Sequence, residues 1–300
     1  MIMKTMTLAK IGDELITEYW QNYYQTMVTF NEDGRNFLFA HNKGKKRWFI
    51  SKLSTSWDGQ SEIKSGDYQK YYNCMVKFIE NGRNYLFAHS DQENRWFMSE
   101  LSISWNGQSE IKSGTYQKFY GSMVKFTENG KNYLFAHSEK ENRWFISELS
   151  TSWDGQSEIK SGNYANYYDD LIAFTENGKN YLFAHSRNKN RWFISELSTS
   201  WDGQSEIKSG NWHNFYPSMF SFMKDGRNFL FAHSETERRW FISELSTSWD
   251  GNAEIVNGNW KRFFNPALNF EEGGHNYMLG HSEEDNKIFV SQIYVALDVD

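Results

Sequence analysis

A histidine and a basic residue recur together six times along the chain at a fixed interval of 48 residues. Each histidine ends an aromatic-rich segment such as residues 133–137, and the basic residue, Arg143 in that copy, follows six positions later. The histidines are His41, His89, His137, His185, His233 and His281. The basic residues are Arg47, Arg95, Arg143, Arg191, Arg239 and, in the sixth copy, Lys287. Imidazole and guanidinium groups hydrogen-bond polar ligands, so each repeat carries candidate binding residues.

A large aromatic residue marks a second repeated position, in a Gly-x-Trp/Tyr-x-x-Phe/Tyr pattern such as Gly114-Thr115-Tyr116 followed by Phe119. The residues at this position are Trp20, Tyr68, Tyr116, Tyr164, Trp212 and Trp260. A pyranose ring has an apolar face that stacks on an aromatic side chain, and a rim of hydroxyl groups that needs a few fixed polar partners. An aromatic residue, a histidine and an arginine in every repeat therefore predict carbohydrate binding, with glycans or glycoconjugates as partners.

The same residues have structural interpretations that the sequence leaves open. A repeated histidine can hydrogen-bond a turn, because buried polar groups need partners. Arg95 can stack on a neighbouring ring or pair with Glu100 or Glu110. No repeat contains histidine, cysteine and carboxylate residues at metal-ligand spacing. We therefore expect neither a metal nor a cofactor.

The elements that must position these side chains are short β-strands. In the third copy, extended stretches at residues 123–126 and 132–137 flank Asn129-Gly130, and Asn-Gly is the strongest short signal for a β-hairpin. Further extended stretches follow at residues 143–149 and 157–160. No apolar stripe with helical periodicity runs for more than about two turns. Each repeat is therefore predicted to be a four-stranded antiparallel sheet.

Six four-stranded repeats of this length predict an all-β fold, a six-bladed β-propeller. The ends of the chain indicate how the ring closes. Residues 13–19 lie 48 positions before a fourth strand and have no first three strands ahead of them, whereas the last repeat stops at Asp300 without a fourth strand. We expect residues 13–19 to supply the outer strand of the last blade, which removes the exposed edges of an open array. The prediction is one propeller domain over residues 1–300, with the place of residues 1–12 undetermined.

The propeller topology brings the candidate residues together. In a four-stranded blade, the connection from strand 4 to the next strand 1 and the loop between strands 2 and 3 lie on the same face of the disc. The first connection carries the aromatic position, and the second runs from the histidine to the arginine. The sequence thus predicts shallow sites between neighbouring blades. A Trp-Asp/Asn-Gly turn between strands 3 and 4, at Trp57, Trp105, Trp153, Trp201 and Trp249, is expected on the opposite face, where it either caps the core or binds ligand.

The repeat resembles the blades of the tachylectin-2-like propeller lectins. The resemblance extends over the whole repeat and is carried by the Gly-x-Trp/Tyr-x-x-Phe/Tyr segment, the aromatic-rich strand after it and the x-Gly hairpin. It implies a multivalent lectin, an agglutinin in which one weak site is used up to six times. Avidity on a clustered glycan surface then strengthens binding by a factor on the order of 10² to 10⁴.

Composition and charge exclude several other classes. The formal net charge is −6 and no basic tract is present, which argues against nucleic acid as a partner. No run of about 18 apolar residues is present, so we expect no membrane span. Cys74 is the single cysteine, so no intrachain disulfide can form. We find no secretory signal peptide, which predicts a cytoplasmic protein or one released by another route.

Catalysis is not expected from this sequence. An enzyme needs an asymmetric constellation, such as a nucleophile with its base, whereas near-identical repeats present the same groups everywhere. Gly-x-Ser-x-Gly, His-Glu-x-x-His and phosphate-binding glycine-rich motifs are absent from the sequence. Two binding functions remain: a carbohydrate-binding propeller, and a protein-interaction scaffold that uses one face of the disc.

Overall fold

The computed structural model describes residues 7–68, 71–92, 94–107, 109–116, 119–140 and 142–297. These residues form 24 strands in six antiparallel sheets of four strands each, arranged as the blades of a ring. The all-β six-bladed propeller predicted from the sequence is confirmed. Asn-Gly or Asp-Gly hairpins join the first and second strands of five blades, as predicted, and Gly273-Gly274 joins them in the sixth; in the third blade Asn129 and Gly130 both have a positive φ. The structure contains no helix that could cross a membrane in the part of the chain that it describes.

Strands are numbered β1 to β24 in chain order. The first, innermost strands are β2 (Thr26–Glu32), β6 (Cys74–Glu80), β10 (Ser122–Glu128), β14 (Asp170–Glu176), β18 (Ser218–Lys224) and β22 (Ala267–Glu272). The second strands are β3 (Arg35–His41), β7 (Arg83–His89), β11 (Lys131–His137), β15 (Lys179–Ser186), β19 (Arg227–His233) and β23 (His275–His281). The third strands are β4 (Arg47–Lys52), β8 (Arg95–Glu100), β12 (Arg143–Glu148), β16 (Arg191–Glu196), β20 (Arg239–Glu244) and β24 (Lys287–Leu297). The fourth are β5 (Lys64–Asp67), β9 (Lys112–Thr115), β13 (Lys160–Asn163), β17 (Lys208–Asn211), β21 (Glu254–Asn259) and β1 (Thr7–Tyr19).

The ring closes where β1 pairs antiparallel with β24. The pairing runs from Thr7 opposite Leu297 to Tyr19 opposite Lys287, with irregularities on either side of Glu14. Closure by the N-terminal strand agrees with the sequence prediction, but the strand begins at Thr7 and is longer than residues 13–19. The extra residues pair with the extended end of β24. The two terminal segments that overlapped in repeat register are therefore neighbouring strands and do not compete for one position.

The fourth strands lie about three residues later than predicted. In the third blade, residues 157–160 were expected to form the strand, whereas β13 begins at Lys160. The side chain of Asp154 accepts hydrogen bonds from the backbone N–H of Gln156 and of Ser157, and Trp153 Nε1 donates to the carbonyl of Ser157. These bonds hold the segment in a turn, because an Asp side chain that bonds backbone groups two and three residues ahead competes with a sheet ladder. Residues 157 and 158 therefore stay outside the sheet, and the backbone N–H of Ile159 is the first in this segment to bond β12, at the carbonyl of Ile146.

A ring of side-chain amides joins neighbouring blades. The second residue of each second strand is an asparagine whose Nδ2 donates to a backbone carbonyl near the end of the preceding blade's first strand. The six bonds measure 2.6 to 2.9 Å and run from Asn36 to Glu271, Asn84 to Asn31, Asn132 to Ile79, Asn180 to Thr127, Asn228 to Thr175 and Asn276 to Met223. The bond from Asn36 crosses the closure of the ring. Each blade is thus bonded to both neighbours at the same height.

Aromatic rings fill the wedges between blades. Trp96 of the second blade is buried and packs against Trp153 of the third, with 6.1 Å between the ring centroids. Gly155 approaches the Trp96 ring so closely that a Cβ atom would overlap the ring, and its φ is +78°. Glycine is required here for two reasons, the left-handed backbone and the missing side chain.

Replacing Gly155 with alanine should therefore cost more than the backbone strain alone. We expect Gly155→Ala to lower the free energy of unfolding by about 1–2 kcal/mol for the left-handed conformation and by a further 1–3 kcal/mol, roughly, for the clash with Trp96. Gly130→Ala is the matched control, since Gly130 has a φ of +76° and nothing within 4 Å of the position of a Cβ. Urea unfolding measures both variants, and equal losses would contradict the packing argument.

Candidate functional site

A cleft opens on the outer part of the disc where the closing strand meets the first blade. It has a volume of about 290 Å³. We call it, with its equivalents in other blades, the rim cleft. Its lining includes Trp20, Tyr24, Arg47, Gln60 and Glu62, with Tyr19 at its edge. The connection into β2, the start of β4 and the turn before β5 contribute these residues, so the aromatic and arginine positions predicted from the sequence do converge.

A second rim cleft of about 770 Å³ lies in the fifth blade. Its lining residues sit 192 positions, or four repeats, after those of the first cleft. They are Trp212, Tyr216, Arg239, Asn252 and Glu254. The same side-chain arrangement therefore recurs at separate places on the disc.

The tryptophan of the rim cleft is held rigidly in its wall. Trp20 is 9% exposed, and its Nε1 donates a hydrogen bond of 2.6 Å to the carbonyl of Gly59. Its ring packs edge-to-face with Tyr24 and Phe49 at centroid distances of 5.3 and 5.2 Å. Trp212 repeats this arrangement with a bond of 2.8 Å to Gly251. The flat faces of these rings are used in packing, so little more than a ring edge is available to a ligand.

Tyrosines take the tryptophan position in three blades. Tyr68, Tyr116 and Tyr164 are largely buried, and each hydroxyl lacks a hydrogen-bond partner among the residues that the structure describes. Burial raises the pKa of each well above its usual value. Trp260 occupies the position in the sixth blade, partly buried and 4.8 Å, centroid to centroid, from His233. All six aromatic residues of this position thus belong to the packing between blades.

The arginines form a repeated ion pair. Arg47 makes two parallel bonds to Glu62, with Nη1 at 2.8 Å from Oε1 and Nη2 at 2.6 Å from Oε2, and Nη1 also donates to the hydroxyl of Tyr24. Arg95 pairs with Glu110, one of the two acids suggested by the sequence, while Glu100 pairs with Arg83. The other pairs are Arg143–Glu158, Arg191–Glu206, Arg239–Glu254 and, at the closure, Lys287–Glu14. The guanidinium groups remain partly exposed and edge the rim cleft.

The histidines do not line the cleft, and that part of the site prediction is wrong. His41, His89, His137, His185, His233 and His281 are all 0% exposed. The Nδ1 of His89 accepts a hydrogen bond from the backbone N–H of Tyr120, just before the first strand of the next blade, and the ring packs against Tyr116 and Phe119. His137, His233 and His281 accept equivalent bonds. These four side chains fix the connection between blades, the structural role left open by the sequence, and His41 and His185 pack at the same position.

The turn tryptophans are not on an opposite face. Trp57 is 6% exposed, contributes to the lining of the rim cleft and lies 6.1 Å from Trp20, ring centroid to ring centroid. Because the connection between β4 and β5 doubles back along the blade, its tryptophan reaches the core between blades. The two candidate surfaces proposed from the sequence are therefore one region, and the alternative that this tryptophan caps the core is the one observed.

Sequence reasoning missed two residues of the rim cleft. The tyrosine that contacts the guanidinium recurs as Tyr24, Tyr72, Tyr120, Tyr168 and Tyr216. The paired acid recurs as Glu62, Glu110, Glu158, Glu206 and Glu254. Both repeat at the same interval as the arginine, and this shared periodicity was the signal that could have identified them. Clusters of three or more His, Cys, Asp or Glu side chains that could hold a metal ion are absent from the described residues.

The comparisons with known proteins identify a fold and no family. No protein-family model matches the chain, and no curated protein matches it. Among solved structures, it is similar to the crystal structure of Raptor from Chaetomium thermophilum, with a TM-score of 0.55 and 13% identity over 97% of this chain. The chain spans only 24% of that protein's length. A second structure, Hsv2 from Kluyvelomyces marxianus, has a TM-score of 0.46 and 8% identity over 88% of this chain and 82% of that one. The similarity to Raptor supports the propeller fold and gives no support to a tachylectin-2-like lectin in particular.

Burial of the histidines predicts a loss of stability in mild acid. Burial lowers the pKa of His41, His89, His137 and His233 to about 4, from an ordinary value near 6.5, and lowers that of His185 and His281 to about 3. Below pH 6.5 the unfolded chain binds protons that the folded chain does not, so stability falls as the pH drops towards 4. Each histidine contributes up to about 3 kcal/mol to this loss.

Thermal unfolding between pH 7 and 4 measures this effect. Carboxylates such as Asp154 and Asp202, whose pKa is lowered to about 2 by hydrogen bonds from Ser157 and Ser205 respectively, lose their contribution below about pH 4, outside the histidine window. Asp170, whose pKa is raised by burial, partly opposes the histidines within the window. A His137→Gln variant should take up about one proton fewer on unfolding at pH 5. A melting temperature that stays constant from pH 6.5 to 4.5 would be incompatible with six neutral, buried imidazoles.

Proposed function

We propose that this chain is a non-catalytic binding protein that presents repeated rim clefts to carbohydrate ligands. The observation that carries the proposal is the recurrence of one cleft chemistry at Trp20 and, four repeats later, at Trp212. In each cleft a guanidinium, a carboxylate and an amide lie beside an apolar wall. Hydroxyl-rich rings bind to such combinations, since the polar groups fix orientation while the apolar wall covers the C–H face.

The rim clefts are not equivalent, and the first is the better candidate for stacking. Tyr19 lies at its edge and is 55% exposed, whereas the equivalent residue in the fifth blade is Asn211. The first cleft also has Gln60, where the fifth blade has Asn252. Since Trp20 itself offers little more than an edge, the exposed ring of Tyr19 is the surface on which a sugar would stack. We therefore propose unequal sites and not six equal ones.

The absence of catalysis is part of the proposal. The repeated carboxylates Glu62 and Glu254 are paired with arginines, and the six repeated imidazoles are fully buried away from the cleft surface, although His213 and Glu237 also line the second cleft. A group that is already ion-paired or buried is poorly placed to transfer a proton to a ligand. Repeated, near-identical groups are better suited to binding several copies of a ligand than to catalysing one reaction.

A protein-interaction scaffold is the second candidate, and the comparisons fit it at least as well, because they reach only the propeller fold. One further observation favours it. The aliphatic residue directly after the paired acid is about half exposed in five blades, at Leu15, Ile63, Ile111, Ile159 and Ile207. Repeated apolar residues on outer strands provide contacts for a protein surface, and this ring would be the first place to test for such contacts.

A glycan array followed by calorimetry tests the proposal. We expect binding to a defined sugar, and we expect Tyr19→Ala to weaken it by about 1 kcal/mol, roughly fivefold, because a stacking ring is lost. Tyr294→Ala is the matched control, since Tyr294 is 40% exposed and belongs to the same sheet but lies outside the rim cleft. If the two variants weaken binding equally, the sugar does not bind in the rim cleft. If no glycan on the array is bound, the carbohydrate proposal is rejected in favour of the scaffold. Binding of a protein partner should then change when Ile111 and Ile159 are replaced by charged residues.

A further inference from the structure

The inner strands of the six blades surround the axis of the disc. Each first strand pairs as a strand only with the second strand of its own sheet, so it is the sheet's inner edge. Each also contacts the first strands of both neighbouring blades. These six strands therefore form the wall of a central channel.

One level of this wall carries two lysines. The strand pairings place one residue of each first strand opposite the same leucine or methionine position of its second strand. At this level stand Thr29, Lys77, Lys125, Ala173, Ser221 and Asn269. The lysines occupy adjacent blades, the second and third, while the other four residues are uncharged. The repeats therefore differ from one another at this level, and the difference gives two of them a positive charge.

The two ammonium groups are partly buried without a compensating acid. In the part of the chain that the structure describes, neither lysine forms an ion pair with a carboxylate, and the Nζ of Lys125 reaches only the hydroxyl of Thr127, at 3.4 Å. Burial lowers the pKa of both lysines, and the charge of Lys125 lowers that of Lys77 further. Two like charges held near each other in a partly desolvated place are unfavourable unless an anion lies with them.

The level is open to solvent from one side. Two residues further towards the hairpins, the side chains on the channel strands are exposed, among them Ile79 and Thr127 beside the lysines and Glu271 across the ring. Two residues in the other direction, the positions are apolar, as at Met75 and Met123. A small ion can thus enter from the hairpin side and meet an apolar layer beyond the lysines.

We propose that Lys77 and Lys125 form a binding site for a small oxyanion in the central channel. A phosphate or carboxylate group between the two ammonium groups would receive charge-assisted hydrogen bonds from both. The hydroxyl and amide side chains of Thr29, Ser221 and Asn269 lie at the same level and provide further polar groups, and Ala173 is the one apolar member of the six. This site is separate from the rim clefts, and it does not rest on the function proposed for them.

Thermal unfolding at constant ionic strength tests the proposal with inorganic phosphate, acetate and chloride as probes. We expect 10 mM phosphate or acetate to raise the Tm of the wild-type chain by about 2 °C relative to chloride, since a ligand bound only by the folded state stabilises it. The variant Lys77→Thr with Lys125→Ser should lose this gain. It takes the residues found at this level in other blades, which favours correct folding, and it should melt higher than the wild type in chloride because the repulsion is gone.

The control variant is Lys131→Ser with Lys179→Ser, which removes the same charge from two exposed lysines on the hairpin side. It should keep the full gain in oxyanion. Phosphate also stabilises proteins through exclusion from their surface, but that effect is common to all variants and cancels in the comparison. Calorimetric titration of the wild type with phosphate, and of Lys77→Thr alone, gives a second measurement. Equal gains in wild type and channel variant, or no gain in the wild type with either oxyanion, would overturn the proposal.

Discussion

The pairing of β1 with β24 is the contact on which the remaining structure depends. Each blade packs against two neighbours, and the amide from Asn36 to the carbonyl of Glu271 is satisfied only if the first and last blades are adjacent. An open array would expose the outer face of a terminal blade and the edge of β24 to water or to another chain. The ion pair of Lys287 with Glu14 places the closing strand in the same relation to its blade as the arginine pairs do elsewhere.

Most polar residues that attract attention in the sequence are used to hold blades together. The histidines bond the connection into the next blade, and the asparagines bond the preceding one. Acids at the ends of five first strands accept hydrogen bonds from backbone N–H groups in the loops of the following blade. Lys224 replaces this acid in the fifth blade, and the blade after it has no such loop, because β24 continues into its pairing with β1. The acid is therefore replaced in the one blade whose following neighbour lacks the loop that the acid would bond.

The fold could be predicted from the sequence because its determinants are periodic. Hairpin signals, strand spacing and the offset of the two termini follow from counting residues. The site was predicted only in part. Tryptophan and arginine converge, as adjacent connections on one face require, but whether a repeated side chain points to solvent or into the wedge between blades depends on packing that a single sequence does not encode. His89 and Trp57 are examples, since each lies in a loop-adjacent position and is nevertheless buried by the neighbouring blade.

Repetition also limits where function can be sought. A residue that is identical in all blades and bonded in all of them explains the stability of the disc, so specificity has to come from positions where one repeat departs from the others. Tyr19 and the lysines at 77 and 125 are departures of this kind. So is Asp170, a partly buried acid with one fully buried carboxylate oxygen, whose pKa is raised well above its usual range by desolvation and by Asp169, where other blades place small or neutral residues. Buried charged groups such as these lower the stability of the fold and make no contact that the other blades share. In a chain of near-copies, a position without a special role keeps the common residue, so these departures are the positions at which function should be sought.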